Sequence, residues 1–155
     1  MAKKQDSSGY ISYELKIGSA SYKANAPLIS FNTQYEINRI PTATLYLIDG
    51  DPASKKFDLS SESFMNPGES VKVLVGRKGI NKMVFSGIIV GHSIQFSNIK
   101  GTYLKLECKH DSCKMTNGRN IKYFEKKDDK SIISELFKVN GLSAPKLKGS
   151  FVKHE

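Results

Sequence analysis

Tryptophan is absent from the 155 residues, cysteine occurs twice and histidine three times. Two cysteines are too few for a disulfide framework, and a reduced cytoplasmic history is the simpler expectation. Three scattered histidines, His92, His110 and His154, are poor material for a nucleophile, base and orienting group that must converge in space. Long apolar runs are missing as well: nothing approaches the roughly 18 residues of a membrane span, and Met1–Gly9 lacks the apolar stretch of a signal peptide. No internal repeat or low-complexity tract occurs. Acidic residues are the minority, 15 against 24 basic, a formal charge of +9. The excess is uneven, with 11 Lys/Arg against 8 Asp/Glu in residues 1–99 and 13 against 7 in residues 100–155. Such a balance permits an acidic partner without naming one.

What is present is alternation. Ile11, Tyr13, Leu15 and Ile17 share one face of a half-buried strand, and Ile29, Phe31, Thr33, Tyr35 and Ile37 repeat the pattern. The stretch Tyr35–Asp51 joins two strand-like runs across Pro41, which has no N–H to give a sheet and belongs at a bulge, an edge or a strand start. Leu45, Tyr46, Leu47 and Ile48 are apolar on both alternating faces, which suits a strand covered on two sides. A packed loop with one helical turn is expected over 53–66, then a valine strand over 71–75. The run Asn81–Phe96 would be about 50 Å long if straight, so it must bend, with Gly87 and Gly91 as the expected places. Leu104, Leu106 and Cys108 alternate with Lys105, Glu107 and Lys109, and a short strand is expected over 120–124. One helix is expected to start at Asp128 or Asp129 and stop at Asn140–Gly141. The expected fold is mainly β, a curled antiparallel sheet forming a small β-barrel with one C-terminal helix. Residues 1–9 read as an arm, 10–142 as the barrel domain, and 143–155 as the start of a connection to further domains.

Three clusters invite chemistry. Cys108, His110 and Cys113 form C-x-H-x-x-C, but no second ligand pair appears, and Cys108 reads as a core residue; no metal or cofactor is expected. Asp49-Gly50-Asp51 has calcium-loop spacing without the remaining ligands, so a turn is the better reading. Lys100, Lys105, Lys109, Lys114, Arg119, Lys122, Lys126 and Lys127, interleaved with Tyr103, Tyr123 and Phe124, have the ingredients of a nucleic-acid groove. Glu107, Glu125, Asp128 and Asp129 interrupt that field. A stand-alone nucleic-acid-binding β-barrel is therefore the alternative and not the leading reading.

Asn38-Arg39-Ile40-Pro41-Thr42-Ala43 with Leu45 and Asp49-Gly50-Asp51-Pro52 resembles the N-terminal segment of VgrG proteins, the spike proteins of bacterial type VI secretion systems. Phe64-x-x-Pro67-Gly68, Val84-Phe85-Ser86-Gly87-Ile88-Ile89, and the block from Cys108 through Met115-Thr116 to Arg119 resemble later motifs of that family in the same order. The resemblance implies a hub barrel like that of the phage baseplate hub and late control D proteins, without enzymatic activity. It also implies a homotrimer in the full-length protein, docked on a hexameric Hcp-like tube and contacting baseplate components. Assembly would occur in the bacterial cytoplasm without a signal peptide or membrane anchor, followed by export through the injection machine. Since the second barrel, OB-like domain and β-helical needle of the family do not occur, the chain reads as an N-terminal fragment. The family-motif and assembly candidates are Asn38, Arg39, Ile40, Pro41, Tyr46, Asp49, Gly50, Phe85, Gly87, Met115, Thr116 and Arg119.

Overall fold

A computed structural model describes residues 11–22, 27–50, 56–97, 101–119 and 121–154. The chain divides into two compact units, 1–110 and 111–155, and the division falls inside the expected 10–142 span. The expected arm over 1–9 lies outside the described residues.

The first unit is a seven-stranded antiparallel sheet: β1 Ile11–Ile17, β2 Ala20–Tyr22, β3 Leu28–Gln34, β4 Thr42–Ile48, β5 Ser70–Arg77, β6 Ile80–Ser97 and β7 Gly101–His110. Their order across the sheet is β2-β1-β5-β6-β7-β4-β3. Mainly β with one helix is therefore correct, whereas the barrel is only partial, because among the described residues no ladder joins edge strands β2 and β3.

The 18-residue β6 organises the sheet. Its first half pairs with β5 as far as Ile88↔Ser70, and its second half pairs with β7 from Gly87↔His110 onward. Register shifts place extra residues at Val84 and Val90, and each such bulge bends the strand and moves the following side chains to the other face. The bend expected at Gly87 and Gly91 on one shared face is thus corrected. Gly87 lies with Phe85 and Ile89 on the inner face, shared with their cross-strand partners Val73 and Cys108, while Gly91 pairs with Glu107 on the other face. Gly87 has its own role at the change of partner: a Cβ there would lie 2.1 Å from the Lys109 carbonyl oxygen.

The bend folds the two halves of the sheet around one core. Leu15, Ile17, Val71 and Val73 come from one half, Ala43, Leu45, Leu47, Leu104, Leu106 and Cys108 from the other, with Phe85 and Ile89 of β6 and Met65 among them. Burying each of the large side chains contributes about 1.5–3 kcal/mol over leaving it exposed. Met65 belongs to the 3-10 turn Ser63–Met65, the helical turn expected in that loop. Cys108 is 1% exposed, and burial first, with Glu107 second, pushes its thiol up to about 12, so it behaves as a small apolar residue.

Two local expectations fail for physical reasons. The strand expected to continue through Tyr35 and Ile37 ends at Gln34, because Asn38 takes a left-handed φ of 62° and turns the chain, with Arg39 N–H donating to Glu36 O at 3.4 Å. Strand β2 lies between the first two alternating runs, where no strand is expected; at three residues it is too short to announce itself by alternation.

In the second unit a 3-10 segment, Asp111–Thr116, precedes helix α1, Asp129–Val139. The Asp128 side chain accepts from Ser131 N–H at 3.0 Å, an N-cap. At the other end Gly141 adopts φ 69°, Gly141 N–H donates to Lys138 O at 3.0 Å and Leu142 N–H to Phe137 O at 2.9 Å, a Schellman stop. Residues 121–125 form no strand, correcting that expectation; among the described residues this unit offers no extended ladder to pair with, and Lys122 reaches Glu135 of α1 instead. The tail returns to the helix start. Asp129 N–H donates to Val152 O at 3.2 Å, His154 N–H to Lys127 O at 3.0 Å, and His154 Nε2 lies 2.6 Å from Asp129 Oδ1.

The close approach at residue 87 sets a test. Gly87→Ala should lower the chemical-denaturation midpoint by an amount equivalent to about 1–3 kcal/mol, the usual cost of forcing extra atoms into a packed site.

Candidate assembly surface

Alternation puts Leu45 and Leu47 of β4 into the core and leaves Tyr46 and Ile48 on the outer face. The register sets Tyr46 opposite Lys105 and Ile48 opposite Tyr103 of β7, and Gln95 of β6 opposite Tyr103 on its other side. Tyr46 and Tyr103 meet edge to face, ring centroids 5.8 Å apart. Together with Ile29 and Ser30 of β3 they line a shallow groove of about 230 Å³. Ile29 is 40% and Ile48 59% exposed, so the apolar strip continues to solvent at both sides of the tyrosine pair. The expectation that the whole run Leu45–Ile48 is covered on both faces is corrected within this unit: the inner face is covered and Ile48 is open. Beside the strip, Lys105 and Glu107 form an ion pair at 2.5 Å, which lowers the Glu107 carboxyl and raises the Lys105 ammonium from their ordinary values. Ile29 and Gln95 escape sequence reasoning because each follows the face set by a bulge, Ile29 at a register shift of its own and Gln95 beyond the one at Val90.

The expected site residues do not converge. Asn38 and Arg39 lie on an exposed turn, Arg39 3.1 Å from Glu36. Ile40 and Pro41 are half-buried, and Pro41 immediately precedes β4, where its carbonyl accepts from His110 N–H at 2.9 Å. Tyr35 binds the loop to the bend of β6: its hydroxyl donates to the carbonyl of bulge residue Val84 at 2.6 Å. Phe85 and Gly87 are buried in the sheet. In the second unit Thr116 Oγ1 donates to Cys113 O at 2.7 Å, Met115 is half-buried and Arg119 exposed. Tyr46 alone among these residues lines the groove.

Asp49 is structural. It is 4% exposed, the one buried charged side chain among the described residues, and Gly50 N–H at 2.9 Å, Leu59 N–H at 3.0 Å and Ser60 N–H at 2.8 Å donate to its carboxylate. These bonds use the acceptor capacity a ligand would need and fasten the 57–62 loop to the end of β4. Gly50 leaves room for Phe57, whose ring would lie 2.8 Å from a Cβ there. Asp51 and Lys100 lie outside the described residues. Among those described, no group of three His, Cys, Asp or Glu is placed to hold a metal ion.

Several lysines of the nucleic-acid reading are engaged with carboxylates. Lys114 lies 3.3 Å from Asp111 and Lys122 2.5 Å from Glu135, which Lys127 also contacts. Both Lys122 and Lys127 stand 5.6 Å from the centroid of the Phe124 ring. Hydrogen bonds from Lys122 first and Lys127 second lower the Glu135 carboxyl from 4.5 to about 2.

The fold is shared with phage tail proteins. A tail protein from Neisseria meningitidis superposes with a TM-score of 0.56 at 11% identity, covering 81% of this chain and 33% of that one. A 43 kDa tail protein of prophage MuSo2 from Shewanella oneidensis gives 0.55 at 14% identity, covering 85% and 39%. The chain therefore spans well under half the length of either structure. It belongs to the Alg8 N-terminal domain family, whose model matches residues 7–155. No curated protein sequence matches it.

Two outcomes follow. Asp49→Ala should destabilise the first unit by about 1–3 kcal/mol, seen as a lower denaturation midpoint, because three backbone donors lose their acceptor. The Glu135 carboxyl titrates lower when folded than its ordinary 4.5, so its contribution is present above that pH and is lost as pH falls towards about 2. The melting difference between wild type and Glu135→Gln should thus be constant above pH 4.5 and vanish towards pH 2.

Proposed function

We propose that this chain is a structural component of a phage-tail-like machine, the hub part of a spike that couples a threefold spike to a sixfold tube. The carrying observation is the tail-protein fold, which extends over 81% and 85% of the chain in two comparisons. The VgrG-like motifs support the finer reading, a type VI secretion spike or a related contractile injection device without enzymatic activity. In this reading the partners are further copies of the full-length protein in a homotrimer, a hexameric Hcp-like tube protein and baseplate components. Assembly takes place in the bacterial cytoplasm and export follows through the machine itself.

The apolar strip gives the reading a physical surface. Isolated exposed apolar residues need no explanation, but Ile29, Tyr46, Ile48 and Tyr103 are contiguous on one sheet face and ringed by Ser30, Gln95 and the Lys105–Glu107 pair. A dry centre with a polar margin is the anatomy of a protein interface. We assign the strip to contact with a neighbouring barrel. The nucleic-acid alternative loses ground because Lys105, Lys114, Lys122 and Lys127 each have a carboxylate partner.

Ile48→Asp in the full-length protein is the test. Because Ile48 is 59% exposed, the substitution should change stability by no more than about 0.5 kcal/mol, checked by thermal melting. Native mass spectrometry should show loss of the trimer or of its complex with tube protein. Assembly at wild-type levels would remove the strip from the proposal, and salt-dependent retention of single-stranded DNA by the isolated chain would favour the alternative.

A further inference from the structure

The second unit contains the dipeptide Asn-Gly twice, at 117–118 and at 140–141, in two opposite settings. Asn117 and Gly118 follow the 3-10 segment Asp111–Thr116 and are both exposed. Gly118 has φ 85°, and nothing lies within 4 Å of the place a Cβ would occupy. Among the described residues no hydrogen bond holds the Asn117 side-chain amide or the Gly118 N–H, and the Asn117 N–H reaches Lys114 O only at 3.4 Å. Asn140 is held on every side. Its Nδ2 donates to Leu136 O at 2.8 Å, Gly141 N–H donates to Lys138 O at 3.0 Å, and Leu142 N–H closes the cap on Phe137 O at 2.9 Å.

We infer that Asn117–Gly118 is a self-modification site, where the backbone converts asparagine to aspartate and isoaspartate through a succinimide. The Gly118 nitrogen, deprotonated by solvent base, attacks Asn117 Cγ. The N–Cγ bond forms, the Cγ–Nδ2 bond breaks, and the amide nitrogen leaves as ammonia after taking up a proton. Water then adds to one of the two ring carbonyls and opens the ring, giving aspartate or, with the backbone rerouted through the side chain, isoaspartate. No redox change occurs, and water is the only co-reactant. Glycine at 118 matters because no side chain shields the attacking nitrogen. At Asn140 the same step requires the helix cap to open first, since both the leaving amide and the attacking N–H are engaged. The product places a new negative charge two residues before Arg119, within the Met115–Arg119 block, and isoaspartate adds a methylene to the chain there. The inference is independent of the assembly reading, since it rests on covalent chemistry of this chain alone.

The experiment is peptide mapping by mass spectrometry of the folded protein during incubation at mildly alkaline pH, with enzymatic isoaspartate labelling. The peptide carrying Asn117 should gain one dalton and isoaspartate about ten-fold faster than the peptide carrying Asn140, the latter being limited by local opening. In denaturant the two rates should converge. Asn117→Gln should abolish the gain on its own peptide and leave that of Asn140 unchanged. Equal rates in the folded protein, or an unmodified Asn117 over a period in which the denatured chain reacts, would overturn the assignment.

Discussion

A single strand shared by two half-sheets is the constraint on which the first unit depends. β6 gives its first half to β5 and its second to β7, and only a bend between these ladders lets their apolar faces meet over Phe85 and Ile89. The bulges at Val84 and Val90 supply that bend, and Gly87 between them permits the two ladders to overlap at Gly87 and Ile88. Each bulge leaves backbone groups outside the ladder, and at Val84 the Tyr35 hydroxyl meets the carbonyl. The connection between β3 and β4 is thereby tied to the bend, so that the geometry of β4, and with it the exposed strip around Tyr46, is linked to the curvature of a strand two positions away in the sheet.

The fold is legible in the residues wherever one physical signal dominates. The period of two in β7 and the caps of α1 are local, and both elements follow the pattern written in their residues. The need for β6 to bend was also legible, since its length exceeds what a small unit can hold straight. The means was not: a bulge is a count of residues against a partner strand, and no property of Val84 or Val90 reveals it without the register. The same blindness hid Ile29 and Gln95 from the candidate surface. Tyr46 was accessible to pattern reading because no bulge interrupts β4 against β7. Asp49 illustrates a different limit. Its turn chemistry was evident, but the donors at Leu59 and Ser60 are ten and eleven residues further on, beyond any local pattern.

Charge follows a similar division. A net charge of +9 suggests a basic face, yet the folded second unit spends Lys122 and Lys127 on a single carboxylate over the ring of Phe124. Exposed pairs of this kind contribute little to stability. Their larger effect is to fix long side chains and to lower the local positive potential, which makes the apolar strip on the first unit a better guide to partners than the lysine count.

The return of the tail to the start of α1 has a mechanical consequence. Lys127 and His154 are adjacent in space, joined by a backbone hydrogen bond, by the neighbouring bond from Asp129 to Val152, and by the contact of His154 with Asp129. Tension entering the chain before residue 127 and leaving after residue 154 crosses this clasp directly. Beyond Asp129, which belongs to the clasp, the helix and its glycine stop lie within the loop that the clasp closes, so they carry no load until it opens. Under traction α1 is therefore a slack reserve of length, and the first bonds to yield are two backbone hydrogen bonds and one imidazole–carboxylate contact at residues 127–129 and 152–154.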